Sequence, residues 1–190
     1  MTDSLERAGW CWFRLYDERV RFRQRLALLE RGRSVGEHAE YLTEVVALLD
    51  AYIADLSRVL EHGTRDHPCR PLLRSVLPAP VADAFCAVIG ELTRFPTARH
   101  LVAYLGLAPH RVRRASLNRV YFLHAGCLVR RAPDTRWAQA YHRARARGLP
   151  YKPAIRCAWR TLLTEAWKKK SPADPHAAGN RTMQHTETTP

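Results

Sequence analysis

Acidic residues are almost missing from the second half of this chain. Residues 99–170 contain only Asp134 and Glu165 against 17 Arg and Lys residues, a local charge of +15, whereas residues 1–98 are near neutral at −1. So long a stretch with so few acids is typical of proteins that bind a polyanion. The charge therefore predicts packing or dimerisation for the first half and polyanion binding for the second.

Paired cysteines, metal-ligand spacings and long apolar runs are also missing. The five cysteines lie in separate segments without a CxxC pair, which argues against disulfides and zinc and favours a reducing, cytoplasmic compartment. No apolar run approaches about 18 residues, so no membrane span is predicted. The nine histidines show no spacing typical of metal ligands, and no metal site is predicted.

Strand-like alternation is not found either, and the fold class that follows is all-α. The clearest helical pattern covers residues 37–61. Its apolar residues recur at alternating spacings of three and four, the pattern of a coiled coil: Leu42, Val45, Leu49, Tyr52, Leu56 and Val59, widened by Val46, Ile53 and Leu60. So wide an apolar face needs a partner. Two alternatives stay open: residues 5–30 folded back as an antiparallel helix, or a homo-oligomer through residues 37–61.

Proline and glycine divide the rest of the chain into shorter helices. Pro78-Ala79-Pro80 predicts a tight turn between two of them, a helix-hairpin-helix-like element. Gly106 and Gly148 are predicted to end helices. The predicted helices are 71–77, 81–92, 98–105, 117–131, 134–147 and 152–169. The expected organisation is N-terminal helices with a coiled-coil segment over 1–62, a helical domain over 70–170 and a disordered tail over 171–190.

Candidate nucleic-acid contacts are the cations of the basic half. The densest cluster lies on a loop that runs into a helix, where the helix N-terminus adds partial positive charge. The candidate contacts are Arg111, Arg113, Arg114, Arg119, Arg130, Arg131, Arg143, Arg147 and Lys152. Arg130 and Arg131 would equally suit the C-terminal end of a helix dipole. The aromatic residues at helical spacing, Trp137, Tyr141, Trp159 and Trp167, are more typical of a core than of base stacking.

One long stretch carries a family resemblance. Residues 87–109 follow the pattern (I)GE-x-x-RF-x-(T/S)AR-x-L-x-AYLGLAP. Further matching stretches are 73–78, Leu117-Asn118-Arg119, 141–148 and 152–163. In this order they resemble the C-terminal domain of the insertion-sequence 110/116/902 transposase family, over roughly residues 37–170.

The resemblance implies DNA transposition and recombination. Members of the family are expected to have a RuvC-like domain whose acidic cluster holds Mg²⁺, then a coiled coil, then a helical domain with a nucleophilic serine in a Ser-Gly motif. They act as RNA-guided multimers, so DNA and guide RNA are the implied partners. The implied chemistry is attack of a serine hydroxyl on a DNA phosphate.

The sequence departs from this pattern in three places. No RuvC-like portion with its acidic cluster is recognisable, so Mg²⁺ is expected only with that missing domain; the hairpin lacks glycine; and the Ser-Gly motif is missing. Ser116 is the nearby serine, either a nucleophile or the N-cap of the next helix. The expected function is therefore nucleic-acid binding by a transposase part that is not catalytically complete alone. The alternatives are an active serine recombinase subunit with metal from another subunit, or a truncated regulator in mixed oligomers.

Overall fold

The computed structural model describes residues 2–31, 37–108, 115–130 and 133–169, and it confirms the all-α prediction, with no strand in those residues. None of the helices in this part is long and apolar enough to cross a membrane. The helices are α1 (Thr2–Arg31), α2 (Glu37–Gly63), α3 (Arg70–Val76), α4 (Ala79–Ile89), α5 (Ala98–Tyr104), α6 (Ala115–Leu123), α7 (Ala125–Arg130), α8 (Arg136–Ala146) and α9 (Tyr151–Trp167), with a 3-10 turn at Leu92–Arg94.

The two long helices form an antiparallel pair. The indole N–H of Trp12 on α1 donates to Ser57 Oγ on α2 at 2.9 Å. One end of the pair brings Leu5 against Gly63, where a Cβ would lie 2.6 Å from Leu5 Cδ1. Towards the other end, Arg19 binds Asp50 at 3.0 Å. Of the two partners considered for residues 37–61, α1 folded back is the one that the structure contains.

The register of α2 differs from the predicted one. Its buried apolar positions are Ala39, Val46, Ile53 and Leu60, spaced by seven residues. Tyr52 and Val59, two members of the predicted line, are 56% and 55% exposed. The predicted line runs along one edge of a wide apolar stripe, and α1 covers the other edge. The sequence pattern is compatible with both edges, because each recurs every seven residues.

Helix α4 forms the centre of the molecule. All nine residues from Val81 to Ile89 are buried, as expected for a helix that is apolar on almost every side. Helix α1 crosses it closely at Gly9, where a Cβ would lie 2.9 Å from Val88 Cγ2 and 3.1 Å from the carbonyl oxygen of Ala84. The missing side chain of Gly9 therefore lets α1 lie directly on α4.

An aromatic cluster around Phe85 joins α4 to the N-terminal and C-terminal helices. The Phe85 ring centroid lies 4.9 Å from that of Phe13, 5.4 Å from that of Trp159 and 6.1 Å from that of Tyr121. The indole N–H of Trp159 donates to the carbonyl of Tyr121 at 2.9 Å, so the buried ring is satisfied. Trp159 is therefore a core residue, as its spacing predicts.

The predicted boundary between the N-terminal helices and the helical domain, placed between residues 62 and 70, stays a prediction. The predicted disordered tail from residue 171 lies outside the described residues.

Asp83 is the acidic residue of α4 and lies inside an ion network. Its carboxylate is 1% exposed and accepts from Arg70 Nε at 2.9 Å and from Arg74, which also binds Glu61 of α2 at 3.1 Å. Burial alone would raise the pKa of Asp83, but the hydrogen bonds from Arg74 and Arg70 hold it below its ordinary value. The network fastens α2, α3 and α4 to one another.

The predicted helix 117–131 is wrong as a continuous element. It divides at His124 into α6 and α7, since α6 ends at Leu123 and α7 begins at Ala125. The His124 ring is only 8% exposed, and its Nε2 lies 3.3 Å from the hydroxyl of Tyr16 on α1. The predicted helix-ending glycines are confirmed, because Gly106 and Gly148 have φ values of 76° and 82°.

Candidate nucleic-acid interface

The hairpin between α3 and α4 offers few backbone donors. Its turn is Leu77-Pro78, and the N–H of Leu77 is already bonded to the carbonyl of Leu73 at 2.8 Å. In the first turn of α4, Pro80 has no N–H and Val81 is buried, which leaves Ala79 as the exposed residue with an amide. A glycine-rich hairpin brings several amides to a phosphate, and this hairpin is poorly built for that contact.

Arg119 is engaged inside the protein. Its Nε lies 2.5 Å from Asp17 Oδ1, and its guanidinium also donates to Gln24 Oε1 at 3.2 Å. Asp17 is 4% exposed and also binds Arg21 at 2.8 Å. Arg119 would have to leave a buried carboxylate before it could bind a phosphate, which is costly. Its nucleic-acid contact stays a prediction, and the function proposed below does not depend on it.

Several other predicted residues cannot be placed. Arg111, Arg113, Arg114 and Arg131 lie outside the described residues. The backbone of Ser116 lies in the first turn of α6, which begins at Ala115, while its side chain is outside the description. The helix thus begins before Ser116, earlier than the N-cap interpretation requires. The catalytic role of Ser116 stays a prediction.

Four predicted cations are exposed in the described part of the chain: Arg130, Arg143, Arg147 and Lys152. None of them makes an ion pair with a carboxylate there, in contrast to Arg136 and Lys168, which both bind Glu165, at 3.3 Å and 3.0 Å. The hydrogen bond from Lys168 is the main reason why the pKa of Glu165 is lowered. Glu165, one of the two acids of this half, is therefore already in use.

Other arginines of the basic half bind backbone carbonyls. Arg160 donates twice to the carbonyl of Leu107, at 2.8 Å and 2.6 Å. Arg145 donates to the carbonyl of Leu149 at 2.9 Å, across the Gly148 turn. These contacts hold helix ends and turns in place, and these two guanidinium groups are therefore less available than the four exposed cations.

The exposed cations occupy two regions. Arg143 lies on α8, and Arg147 directly follows its last residue as the C-cap. Counted from Tyr141, they are rotated by roughly 200° and 240° about the helix axis, so both lie on its outer side. Lys152 lies at the start of α9 with its Nζ 5.8 Å from the centroid of the Phe122 ring. Arg130 ends α7. The structure therefore divides the predicted residues between the outer face of α8 and the junction of α7 with α9.

A cleft at this second region was not predicted from the sequence. It has a volume of about 330 Å³ and is lined by Ala125, Gly126, Val129, Arg130, Tyr141, Tyr151 and Ile155. Tyr151 is 48% exposed, and its ring centroid lies 6.3 Å from that of Tyr141. An aromatic residue directly before Lys152 at a helix start is the sequence signal that could have indicated it.

A metal centre is not supported by the part of the chain that the structure describes. No three His, Cys, Asp or Glu side chains converge in it to ligate an ion. Residues that would fit the Mg²⁺ of the transposase chemistry are thus not found there, and no step below involves a metal.

Comparison with known proteins shows a similarity to one family over part of the chain. The family model described as "Transposase IS116/IS110/IS902 family" matches residues 79–119, which run from the start of α4 to Arg119. Over these residues the chain is similar to the IS116/IS110/IS902 family of transposases. The match confirms the resemblance carried by residues 87–109, and it ends before α7, α8 and α9.

A longer similarity links the chain to a protein of Streptomyces coelicolor (strain ATCC BAA-471 / A3(2) / M145). That protein is named "Insertion element IS110 uncharacterized 43.6 kDa protein" and is 33% identical over 133 residues, which cover 62% of this chain. The aligned region is 31% of the relative, so the chain spans about a third of the length of the curated relative that it matches.

Proposed function

We propose that this chain is a nucleic-acid-binding part of an insertion-sequence transposase that works on DNA in the cytoplasm. The observation that carries the proposal is the group of exposed cations without a carboxylate partner in the described residues: Arg130, Arg143, Arg147 and Lys152. In a chain related to transposases, DNA phosphate is the anion that such side chains would meet. Each phosphate contact releases counterions and so favours binding.

The spacing on α8 suits a phosphate backbone. Arg143 and Arg147 are four residues apart, about 6 Å along the helix axis, which is comparable with the distance between neighbouring phosphates of one DNA strand. The guanidinium group is planar and binds phosphate through two hydrogen bonds, which favours arginine over lysine for this task.

Salt dependence tests the proposal. Binding of a fluorescein-labelled 30-bp duplex is measured by fluorescence anisotropy between 50 and 200 mM NaCl. If the four cations each neutralise one phosphate, the slope of log K against log salt is about −3.6, and affinity falls about 150-fold over this range. Affinity that does not change with salt contradicts the proposal.

A pair of double variants makes the test specific. Replacing Arg143 and Arg147 by Ala should reduce the slope by about 1.8. The control replaces Arg25 and Arg65, two exposed arginines of the near-neutral half, by Ala and removes the same charge. If both double variants lost the same affinity for the duplex, only net charge would matter. That result would contradict a defined interface. The same assay with a 30-nucleotide RNA tests the guide-RNA alternative.

Self-association through α2 is a separate proposal about partners. Tyr41, Leu48, Tyr52 and Val59 are 65%, 57%, 56% and 55% exposed and form an apolar line on the edge of α2 that α1 leaves uncovered. Their spacing suits pairing with another helix, and we propose a second copy of this chain as the occupant. A cleft of about 740 Å³ between the start of α1 and the end of α2 continues the line through Val59.

The oligomeric state in solution tests this partner. Light scattering after size-exclusion chromatography should give a dimer for the wild-type chain and a monomer for Leu48→Glu. Ala54→Glu, which places the same charge on the other exposed side of α2, should stay dimeric. A wild-type monomer at tens of micromolar concentration would exclude the interface.

No catalytic step is part of the proposed function. The Ser116 hypothesis has its own test, in which the chain is incubated with labelled DNA and denatured. A covalent adduct that disappears in Ser116→Ala would identify the serine as a nucleophile. Without an adduct in the wild type, the chain alone forms no covalent intermediate with DNA.

A further inference from the structure

We propose that the cleft between α7, α8 and α9 binds one unpaired nucleobase of a single-stranded nucleic acid. This inference rests on the proposed function and adds a substrate class to it. Three planar groups surround the cleft: the guanidinium of Arg130 and the rings of Tyr141 and Tyr151. Planar aromatic and guanidinium groups are the side chains on which unpaired bases stack.

The two tyrosine rings are nearly perpendicular to each other. Their planes make an angle of 80° with centroids 6.3 Å apart, so a base that stacks on one ring meets the edge of the other. Ile155 and Val129 add apolar surface to the lining of the cleft. The phenol hydroxyls add polar groups that can bond to the edge of a base.

The cleft selects a small, uncharged or anionic aromatic group. None of its lining residues is acidic, and Arg130 contributes a positive charge. Its volume of about 330 Å³ lies at the small end of ligand pockets, which is room for a single ring system and excludes a duplex. Paired bases are stacked inside their helix, so only an unpaired base can enter.

Gly126 determines where Arg130 lies. A Cβ on Gly126 would come within 2.7 Å of a terminal nitrogen of Arg130, because the guanidinium rests on this glycine one helical turn earlier. The missing side chain of Gly126 leaves room for the planar group against the helix, at the wall of the cleft. Arg130 is exposed and has no ion-pair partner in the described residues, so its charge is available to a ligand.

Cations for the flanking phosphates lie next to the cleft in the chain. Lys152 directly follows Tyr151, and Arg156 is one turn further along α9; both lie over the Phe122 ring, at 5.8 Å and 5.9 Å from its centroid. A strand with one base in the cleft would thus find positive charge at the start of α9. Base stacking and phosphate binding together are typical of single-strand binding.

A strand without bases provides the matched probe. Affinity is measured for a 12-nucleotide thymidine strand and for an abasic deoxyribose–phosphate strand of equal length and charge. We expect the wild-type chain to prefer the thymidine strand by at least about five-fold, the lower range of one stacked base. In Tyr151→Ala this preference should disappear, with the affinity for the abasic strand unchanged. Tyr151→Phe keeps the ring and should keep most of the preference.

Two further variants test the guanidinium. Arg130→Ala should lower the affinity for the thymidine strand more than Arg65→Ala does. The second variant removes an exposed charge outside the cleft. A 12-nucleotide ribothymidine strand, which differs from the thymidine strand only in its 2′-hydroxyl groups, compares ribose with deoxyribose. Equal binding of thymidine and abasic strands by the wild type would overturn the cleft proposal while salt-dependent duplex binding leaves the proposed function standing. Absence of binding to any nucleic acid would overturn both.

Photocrosslinking gives a second readout that needs no variant. A thymidine strand with one 5-iodouracil is irradiated in complex with the wild-type chain, and the attached peptide is identified by mass spectrometry. Attachment at Tyr141 or Tyr151 supports the proposal. Attachment confined to other aromatic residues would contradict it, even if Tyr151→Ala failed to fold.

Discussion

Replacement of Asp83 by Asn should destabilise the protein much more than replacement of an exposed aspartate. Asp83 is 1% exposed and is bound by Arg70 and Arg74, whose side chains are 13% and 30% exposed. The asparagine has nearly the same size, so the change removes the negative charge and leaves the packing of α4 intact. What remains is a pair of guanidinium groups without their buried partner.

The size of the effect follows from burial. Removing one partner of a buried ion pair costs about 3–5 kcal/mol, and we expect about 3 kcal/mol because Arg74 still reaches Glu61 and water. For a chain of this length the corresponding fall in Tm is roughly 6–12 °C. Urea denaturation followed by circular dichroism measures the change in the free energy of unfolding directly.

The direction of the Asp83 pKa shift determines how the stability of the protein depends on pH. Because hydrogen bonds from Arg74 and Arg70 outweigh burial and lower the pKa of Asp83 in the folded state, the unfolded chain takes up a proton at higher pH than the folded one. The stabilisation is therefore complete above about pH 5 and is lost as pH falls below the ordinary aspartate pKa of about 4. The free energy of unfolding of the wild type should exceed that of Asp83→Asn by the full amount at pH 7 and by less at pH 3.

Asp55→Asn is the matched control. Asp55 is also paired with an arginine, Arg58, but both side chains are mostly exposed, and such pairs contribute little. We expect a change below about 0.5 kcal/mol. A loss in Asp83→Asn no larger than in this control, or a difference from the wild type that is the same at pH 3 and pH 7, would refute the reasoning.

Three other predictions concern packing, charge and thiols. Gly9→Ala should lower Tm although alanine favours helices, because its Cβ would meet backbone and side-chain atoms of α4 at 2.9–3.1 Å; a higher Tm would contradict this crossing. Arg119→Ala should cost roughly 2 kcal/mol in urea denaturation and leave duplex affinity unchanged, while a weaker duplex with unchanged stability would make it a phosphate contact. In thiol titration of the native protein at pH 8, Cys11 should react readily, whereas Cys69 and Cys86 should react only after unfolding. Burial raises the pKa of Cys69 to about 12 and also raises that of Cys86.

Local patterns in the sequence predict the helical elements well. Gly106 and Gly148 end helices because glycine adopts their positive φ without strain. The position of each glycine after a helical pattern makes this predictable from the sequence. The register of α2 is different, because its apolar stripe is wide enough for two partners. The sequence cannot say that Val46 faces α1 while Tyr52 faces outward, since this depends on how α1 packs.

The candidate site depends on contacts between distant residues. From the sequence alone, Arg119 is predicted to be a surface cation. Its ion pair with Asp17 is not visible there, because the two residues are far apart in the sequence. The cleft needs Arg130, Tyr141 and Tyr151 from three helices. Tyr151 beside Lys152 is a signal within one helix, but it does not indicate the other two residues. Exposure of Arg143 and Arg147, in contrast, follows from the polar face of α8 itself.

The shortage of acids decides which arginines remain for a ligand. Glu165 is shared by Arg136 and Lys168, and Arg119 uses Asp17 from the near-neutral half. The other exposed cations of the basic half therefore repel one another in the free protein, which lowers its stability.

Two conditions should relieve this repulsion and can be told apart. Added NaCl screens it and should raise the Tm of the free protein. Duplex DNA at low salt should raise the Tm as well, because a ligand that binds the folded chain stabilises it. At 200 mM NaCl the rise in Tm that DNA causes should be smaller, because binding is weaker at this salt concentration. The free protein itself is then more stable. An increment from DNA that stays constant with salt would mean that the cations of α7, α8 and α9 are not the groups that bind it.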